Sequence, residues 1–473
     1  MTVTLAGGEQ LLAVAPVETL AAFPADFRWG VSTAAYQIEG AAHEGGRGVS
    51  IWDTFSHTPG LTLNGDTGDI ACDHYHRWES DLDLMASLGI GAYRLSLSWA
   101  RLQPTGWGEL NPEGVEFYRQ LLVGIRDRGM SALVTLYHWD LPQVLEDAGG
   151  WPNRDTAYHF AQFARLVAEQ LGDLADEWIT LNEPWCVSFL GYGYGAHAPG
   201  RTSVRDAVAA AHHLNLAHGL ALAEFRRVNP ALKVGISNIV TDIVPASDTV
   251  EDRLAVGRLD AASNRIFLDP VYYGDYSPEV REVFQQFDFA DLILDGDLAI
   301  IGKPVDFAGV NHYQRVVVSA DETAGYLRLR ERAAEPATTS FGWSVIPDSL
   351  RNVLVRISQD FTDIPIYITE SGASYDDYVD PNGDVVDTAR INYFSGYLTA
   401  AGRAINEGVN LGGYFAWSFL DNFEWAEGYS KRFGLVFVDY GTQVRVPKHS
   451  AKWYQQLISD HRARTSELAS KAK

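Results

Sequence analysis

Two glutamates at the ends of strand-like runs carry the strongest chemical signal in the chain. Glu183 closes Trp178-Ile179-Thr180-Leu181-Asn182-Glu183-Pro184, and Glu370 closes Ile366-Tyr367-Ile368-Thr369-Glu370-Ser371-Gly372. Each follows a short run of β-branched and apolar residues and then meets Pro or Gly. Each carboxylate is therefore expected where a buried strand empties into a loop. Two carboxylates brought face to face from distant parts of a chain suit cleavage of a glycosidic bond. One protonates the leaving oxygen and the other attacks the anomeric carbon.

Other polar and aromatic groups collect at comparable places. Gln37 follows the first strand-like run, Arg94 lies in the second, and His138 and Trp139 follow the third. Asn182 precedes Glu183, Asn311, His312 and Tyr313 close the sixth run, and Trp417, Glu424 and Trp425 close the eighth. Amide, imidazole, carboxylate and indole groups together suit a polyhydroxylated ring, with donors and acceptors for its hydroxyls and a flat floor for its C–H face. Any one of them alone reads as structural; their shared position is what carries the argument.

The elements that must hold these groups alternate. Strand-like runs are read at 27–32, 92–97, 132–137, 177–181, 233–238, 306–310, 364–369 and 413–417, with helical periodicity between them, as at 75–88, 112–128, 156–171 and 203–228. Eight β-α repeats predict an α/β fold, a single closed (β/α)8 barrel, whose chemistry belongs at the C-terminal ends of the strands. The long insertions at 43–73 and 318–340 follow the first and sixth strands and are expected to wall the pocket. With no Pro-, Gly- or Ser-rich linker in sight, 23–460 reads as one catalytic domain between a loose extension at 1–22 and a polar, frayed tail at 461–473.

Composition narrows the function. The net charge is -24, from 37 basic and 61 acidic residues, which repels phosphate backbones and anionic lipid, so neither nucleic acid nor membrane is an expected partner. No run approaches the roughly 20 apolar residues of a membrane span, and the start of the chain lacks a signal-peptide pattern. The two cysteines, Cys72 and Cys186, are too few for a disulfide scaffold and fit a cytoplasmic location. Cys186 lies close enough to Glu183 to approach the same pocket, and reads as a small buried residue rather than a reactive one. His74 with His76, and His212 and His213 with His218, lack the spacing of metal sites and read as structural.

At this point the chain resembles glycoside hydrolase family 1, the β-glucosidase family, from Phe23-Pro24 to about Tyr454. The resemblance rests on Phe27-Arg28-Trp29-Gly30 with Ala35-Tyr36-Gln37-Ile38-Glu39-Gly40, on the two glutamate motifs, and on Trp417-Ser418-Phe419-Leu420-Asp421-Asn422-Phe423-Glu424-Trp425. It implies a retaining mechanism with Glu183 as general acid/base and Glu370 as nucleophile. Gln37, His138, Trp139, Asn182, Glu424 and Trp425 would hold the sugar, with Trp417 as its stacking platform. Arg94, Asn311 and Tyr313 would orient the nucleophile, and Trp343 would be an aromatic wall for the aglycone. The implied substrates are aryl and alkyl β-glucosides, cellobiose and cello-oligosaccharides, cut from the non-reducing end, with galactosidase and fucosidase activities alongside. No cofactor and no metal are implied, and a homo-oligomer stays open.

Ser371 stands where the family usually has Asn, Ser344 where an acidic residue is frequent, and Ala100 where Pro is common. These departures leave the aglycone preference open. A 6-phosphoglycosidase would carry a small hydroxyl residue in place of Glu424, and a catalytically inert sugar-binding barrel would lack one of the two carboxylates. Glu424 argues against the first and the presence of both Glu183 and Glu370 against the second, and these two stand as the alternative readings.

Overall fold

A computed structural model of the chain describes residues 17–336 and 339–471. Its centre is a closed barrel of eight parallel strands: β1 Arg28–Ser32, β2 Ala92–Ser96, β3 Ser131–Tyr137, β4 Glu177–Asn182, β5 Lys233–Ile239, β6 Phe307–Asn311, β7 Ile366–Ser371 and β8 Leu411–Trp417. Each strand pairs with its neighbours in chain order, and β8 closes on β1 with Gly30 opposite Phe415. These are the eight runs expected from the sequence. Helices wrap the outside, among them His74–Ser87, Pro112–Asp127, Asp155–Leu171 and Val204–Val228. Their caps are local: Asn111 accepts from the Glu113 amide ahead of Pro112, and Ser203 accepts from Asp206. The apolar stripe of Asp155–Leu171, with Phe160, Ala164, Val167 and Leu171 buried, returns every three or four residues against the sheet.

The barrel interior is filled in tiers. At its N-terminal end Arg28 pairs with the buried Glu177, which also accepts from Tyr367 Oη at 3.1 Å. Above them Leu133, Ile179, Phe307 and Phe415 form an apolar plug. Gly30 makes room for it, since a Cβ there would lie 2.5 Å from the Phe415 ring. The polar side chains of the site begin above this plug, so the site rests on a packed floor rather than on a water-filled channel.

Two expectations are corrected. The segment read as a polar tail from 461 onward is the continuation of a helix, His449–Lys471, and His461 on it is buried, its ring taking a hydrogen bond from Trp29 Nε1 at 3.2 Å. Of the extension expected at 1–22, residues 1–16 lie outside the described residues. Within the remainder Val17 is buried and Thr19 Oγ1 donates to the Thr399 carbonyl at 3.0 Å, docking this piece on the helix Thr388–Asn406. The insertion after β6 is also more ordered than a loop: Arg315–Ala320 and Leu329–Ala333 join Asp242–Pro245 in a small three-stranded sheet beside the barrel mouth. Among the described residues no helix is long and apolar enough to cross a membrane.

The loop after β8 is anchored by buried charge. Asp421 accepts from Lys448 Nζ at 2.7 Å, Arg432 Nη1 at 2.7 Å and the Gly434 amide at 2.8 Å. Lys448, fully buried, also pairs with Asp377 at 2.5 Å, and Asp377 with Arg390 at 2.7 Å. Removing one partner from such a network leaves carboxylates buried and under-paired. Lys448→Met is expected to cost about 3 kcal/mol, read as a lower urea midpoint, with the loss of activity on heating following the same order.

Candidate active site

Strict alternation, with Glu177 and Ile179 inward on β4 and Tyr367 and Thr369 inward on β7, would point Glu183 inward but turn Asn182 and Glu370 away. In β4, Ile179 lies opposite Gly235 and Asn182 opposite Ser237, one residue more on β4 than on β5. In β7, Ile368 lies opposite Val310 and Glu370 opposite Asn311, again with one extra residue. These bulges re-aim the strand ends. Thr369 and Glu370, consecutive in sequence, both reach the interior: Thr369 Oγ1 donates to Asn311 Oδ1 at 2.6 Å, and Glu370 is held by Arg94 and Tyr313. Glu183 itself lies in the left-handed region at φ 48°, as do Trp139 at 80° and Trp425 at 52°, an arrangement that costs a non-glycine residue about 1–3 kcal/mol.

Arg94, fully buried, donates through Nη1 to Glu370 Oε1 and to Ser32 Oγ, and through Nη2 to Asn182 Oδ1 at 2.6 Å. Tyr313 Oη donates to the other Glu370 oxygen at 2.5 Å. Asn311, expected to orient Glu370, sits beside it in register, yet its Nδ2 donates to Glu183 Oε1 at 2.7 Å and to Asn182 Oδ1 at 2.9 Å. It serves the other carboxyl. Asn182 Nδ2 in turn donates to His138 Nε2 at 3.0 Å, so His138 carries its proton on Nδ1. Burial and then the Arg94 charge hold the His138 pKa well below its ordinary value, keeping the ring neutral.

Gln37 Nε2 lies 3.1 Å from Asn422 Oδ1, 2.9 Å from the Phe423 carbonyl and 3.3 Å from Glu424 Oε2. Its Oε1, buried, has no protein partner among the described residues and is an acceptor that a hydroxyl could fill. Trp417 and Trp425 both run near-parallel to the His138 ring, 6.0 Å from it, and Trp139 fixes itself by donating from Nε1 to the Asn182 carbonyl at 3.0 Å. Trp425 packs on Trp139 at 4.5 Å and on Trp52 at 4.6 Å, closing the inner end with indoles.

These groups line a cavity of about 290 Å³, a size that suits a small ligand rather than a polymer chain. It brings together His138, Trp139, Glu183, Glu370, Tyr313, Trp417, Glu424, Trp425 and Trp343. Gln37, Arg94, Asn182 and Asn311 stand behind them through the hydrogen bonds above. Trp343 forms the outer wall with Phe341, the two rings stacked 4.4 Å apart. Phe341, Trp185, Leu190, Ile239 and His197 also line the cavity and were not singled out from the sequence. Trp185 and Leu190 lie in an apolar stretch that reads as core, while Phe341, two residues before Trp343, was within reach of the same reasoning.

Protonation follows from burial. Burial first, and then the charge of Glu370, push the Glu183 carboxyl up to about 8. The same two causes push Glu424 up to about 8, against the hydrogen bond from Gln37. Near neutrality the cavity therefore offers two protonated carboxyls beside a third that is held by a cation and a phenol. That set can donate a proton and supply a nucleophile at once.

The histidines considered for metal binding have partners of their own. His74 Nδ1 meets Asp81 at 2.8 Å, His76 Nδ1 meets Asp73 at 2.6 Å, His212 bridges Tyr276 and Asp297 at 3.0 Å each, and His218 meets Thr180 Oγ1 at 2.7 Å. Among the described residues no three His, Cys, Asp or Glu side chains converge as a metal site would.

The comparisons with known proteins agree with this geometry. The glycosyl hydrolase family 1 profile matches residues 19–463. Over 444 residues the chain is 44% identical to β-glucosidase A of Thermotoga maritima, covering 93% of this chain and 98% of that one. It is 45% identical over 462 residues to a bifunctional β-D-glucosidase/β-D-fucosidase of Bifidobacterium breve, covering 93% and 99%. The solved structure of the Thermotoga maritima β-glucosidase in complex with deoxynojirimycin superposes with a TM-score of 0.90 at 43% identity, covering 93% of this chain and 99% of that one. With the profile spanning nearly the whole barrel and the likeness holding end to end, the chain belongs to glycosyl hydrolase family 1.

Proposed function

We propose that this protein is a retaining β-glucosidase that removes terminal, non-reducing β-D-glucosyl residues from aryl and alkyl β-glucosides, cellobiose and cello-oligosaccharides. The observation that carries the reading is the unequal treatment of two carboxyls in one cavity. Glu370 lies between a guanidinium and a phenol, while Glu183 is buried with its pKa raised. In this mechanism Glu183 gives its proton to the glycosidic oxygen as Glu370 attacks the anomeric carbon, forming a glycosyl ester. Ester formation removes the Glu370 charge, so Glu183 holds its proton less tightly and serves next as the base for water.

The substrate side rests on residues rather than on analogy alone. Gln37 and Glu424 form one hydrogen-bonding edge and Trp417 one flat face, and the indoles at the inner end favour a terminal ring over a chain that passes through. A carboxyl at Glu424 disfavours a phosphorylated sugar, and the presence of both Glu183 and Glu370 disfavours a binding-only barrel. The bifunctional relative supports fucoside, and by the same edge galactoside, as accompanying substrates.

The direct test is a 2-fluoro-2-deoxyglucoside with a good leaving group, followed by peptide mass mapping. One glycosyl mass on the peptide carrying Glu370 is expected; the label elsewhere, or no label, overturns the reading. Glu183→Ala should lose several orders of magnitude in kcat/KM on alkyl glucosides and far less on dinitrophenyl glucoside, whose leaving group needs no proton. Equal losses on both in the glycosylation step would remove Glu183 from the acid role. Because Glu183 must be protonated to act and its folded pKa is raised to about 8, kcat/KM for alkyl glucosides should hold below that pH and fall about tenfold per unit above it.

A further inference from the structure

Asn311 and Cys186 divide the two oxygens of Glu183 between them. Asn311 Nδ2 donates to Oε1 at 2.7 Å, and Cys186 Sγ lies 3.1 Å from Oε2. The Asn311 amide is not free to turn over. Ser237 Oγ donates to Thr369 Oγ1 at 3.0 Å, and Thr369 Oγ1 donates to Asn311 Oδ1 at 2.6 Å, so its nitrogen faces Glu183 and Asn182. A protonated carboxyl has one carbonyl oxygen, the better acceptor, and one hydroxyl. The fixed amide N–H selects Oε1 as the carbonyl, which leaves the hydroxyl on Oε2, against the thiol.

We propose that Asn311 and Cys186 together present the acid's proton on Oε2, with Cys186 a positioning residue that meets this oxygen in both protonation states. The inference rests on reading Glu183 as the acid/base. Sulfur is a weak acceptor and S–H a weak donor. While Oε2 carries its proton, the thiol holds it loosely for the glycosidic oxygen. As the proton moves to that oxygen, the bond from it to the anomeric carbon breaks with its electron pair, and a Glu370 oxygen forms the new C–O bond. The pair of the broken O–H bond stays on Oε2, where the S–H donates to it. In the second half water returns a proton to Oε2 as its oxygen displaces Glu370. The thiol is neither consumed nor oxidised.

The chain keeps the two groups in fixed relation. Cys186 is 5% exposed and opens the wide helical coil Cys186–Gly193, and the Val187 amide next to it donates to the Glu183 carbonyl at 3.3 Å. The other charged or titratable groups acting on Glu183 are Glu370, Arg94, Tyr313 and Glu424, on or after β7, β2, β6 and β8, and substitution of Cys186 changes none of them.

The test follows the alkaline limb of kcat/KM for an alkyl β-glucoside in the full-length enzyme. Cys186→Ala removes a donor to ionised Glu183 and should move the limb up by about half a pH unit; Cys186→Ser supplies a stronger donor and should move it down by a similar amount. A purely structural role would lower activity without moving the limb in opposite directions. Coincident limbs in all three proteins overturn the inference, and the near-isosteric serine variant decides if the alanine variant fails to fold. Glu183→Gln separates the two levels. If that variant keeps the limb, the acid assignment itself is wrong; if it loses the limb while the Cys186 variants leave theirs in place, only this inference falls.

Discussion

Arg94 is the group on which the rest of the site depends. Its guanidinium is fully buried, and it spends its donors on Glu370, Ser32, Asn182 and the Thr369 carbonyl, which ties β1, β2, β4 and β7 to one point. A buried cation needs such partners, and a buried carboxylate beside two more carboxyls needs such a cation. The arrangement fixes who carries charge. With Arg94 and Tyr313 on Glu370, burial and repulsion fall on Glu183 and Glu424, whose carboxyls rise toward neutrality. In the proposed mechanism, one positive charge placed against one of three carboxyls separates the nucleophile from the acid.

Geometry that local preference resists is held by packing around the site. Glu183, Trp139 and Trp425 all occupy the left-handed region, where their side chains cost the backbone free energy. Each is fixed from outside. Trp139 is tied to the Asn182 carbonyl, Trp425 is sandwiched against Trp139 and Trp52, and the Glu183 amide donates to the Ser237 carbonyl at 2.8 Å. The buried Asp421–Lys448–Asp377–Arg390 network does the same for the loop carrying Glu424 and Trp425. A directional chain from Ser237 through Thr369 and Asn311 to Glu183, and through Asn182 to His138, sets which end of each amide and which nitrogen of the imidazole faces the cavity.

Much of this was legible in the residues. All eight strands follow from short apolar runs between amphipathic helices, because β-branched runs and helical stripes bury their faces in only a few ways. The convergence of Glu183, Glu370, His138, Trp417 and Glu424 follows from their common place at strand ends. What period-two reasoning could not supply were the bulges in β4 and β7, since an extra residue leaves no mark in composition. The family resemblance assigned Asn311 to Glu370, its neighbour in register, and only side-chain direction shows its amide going to Glu183. The tail from 461 looked polar because, beyond the buried His461, the described side chains of this last stretch of the helix are largely solvated. Trp185 and Leu190 belong to a segment whose apolar character has an equally good explanation as core, whereas Phe341, beside Trp343, was within reach.

The central claim is that Glu370 attacks the sugar and that Glu183 acts first as acid and then as base. Two inversions at the anomeric carbon then leave its configuration unchanged. Proton NMR of the first sugar released from a nitrophenyl β-glucoside, recorded before mutarotation, tests this most directly. The account predicts the β-anomer first, with the α-anomer growing in only at the rate of spontaneous mutarotation. Initial release of the α-anomer would contradict it, because a single displacement by water leaves no place for a glycosyl ester on Glu370.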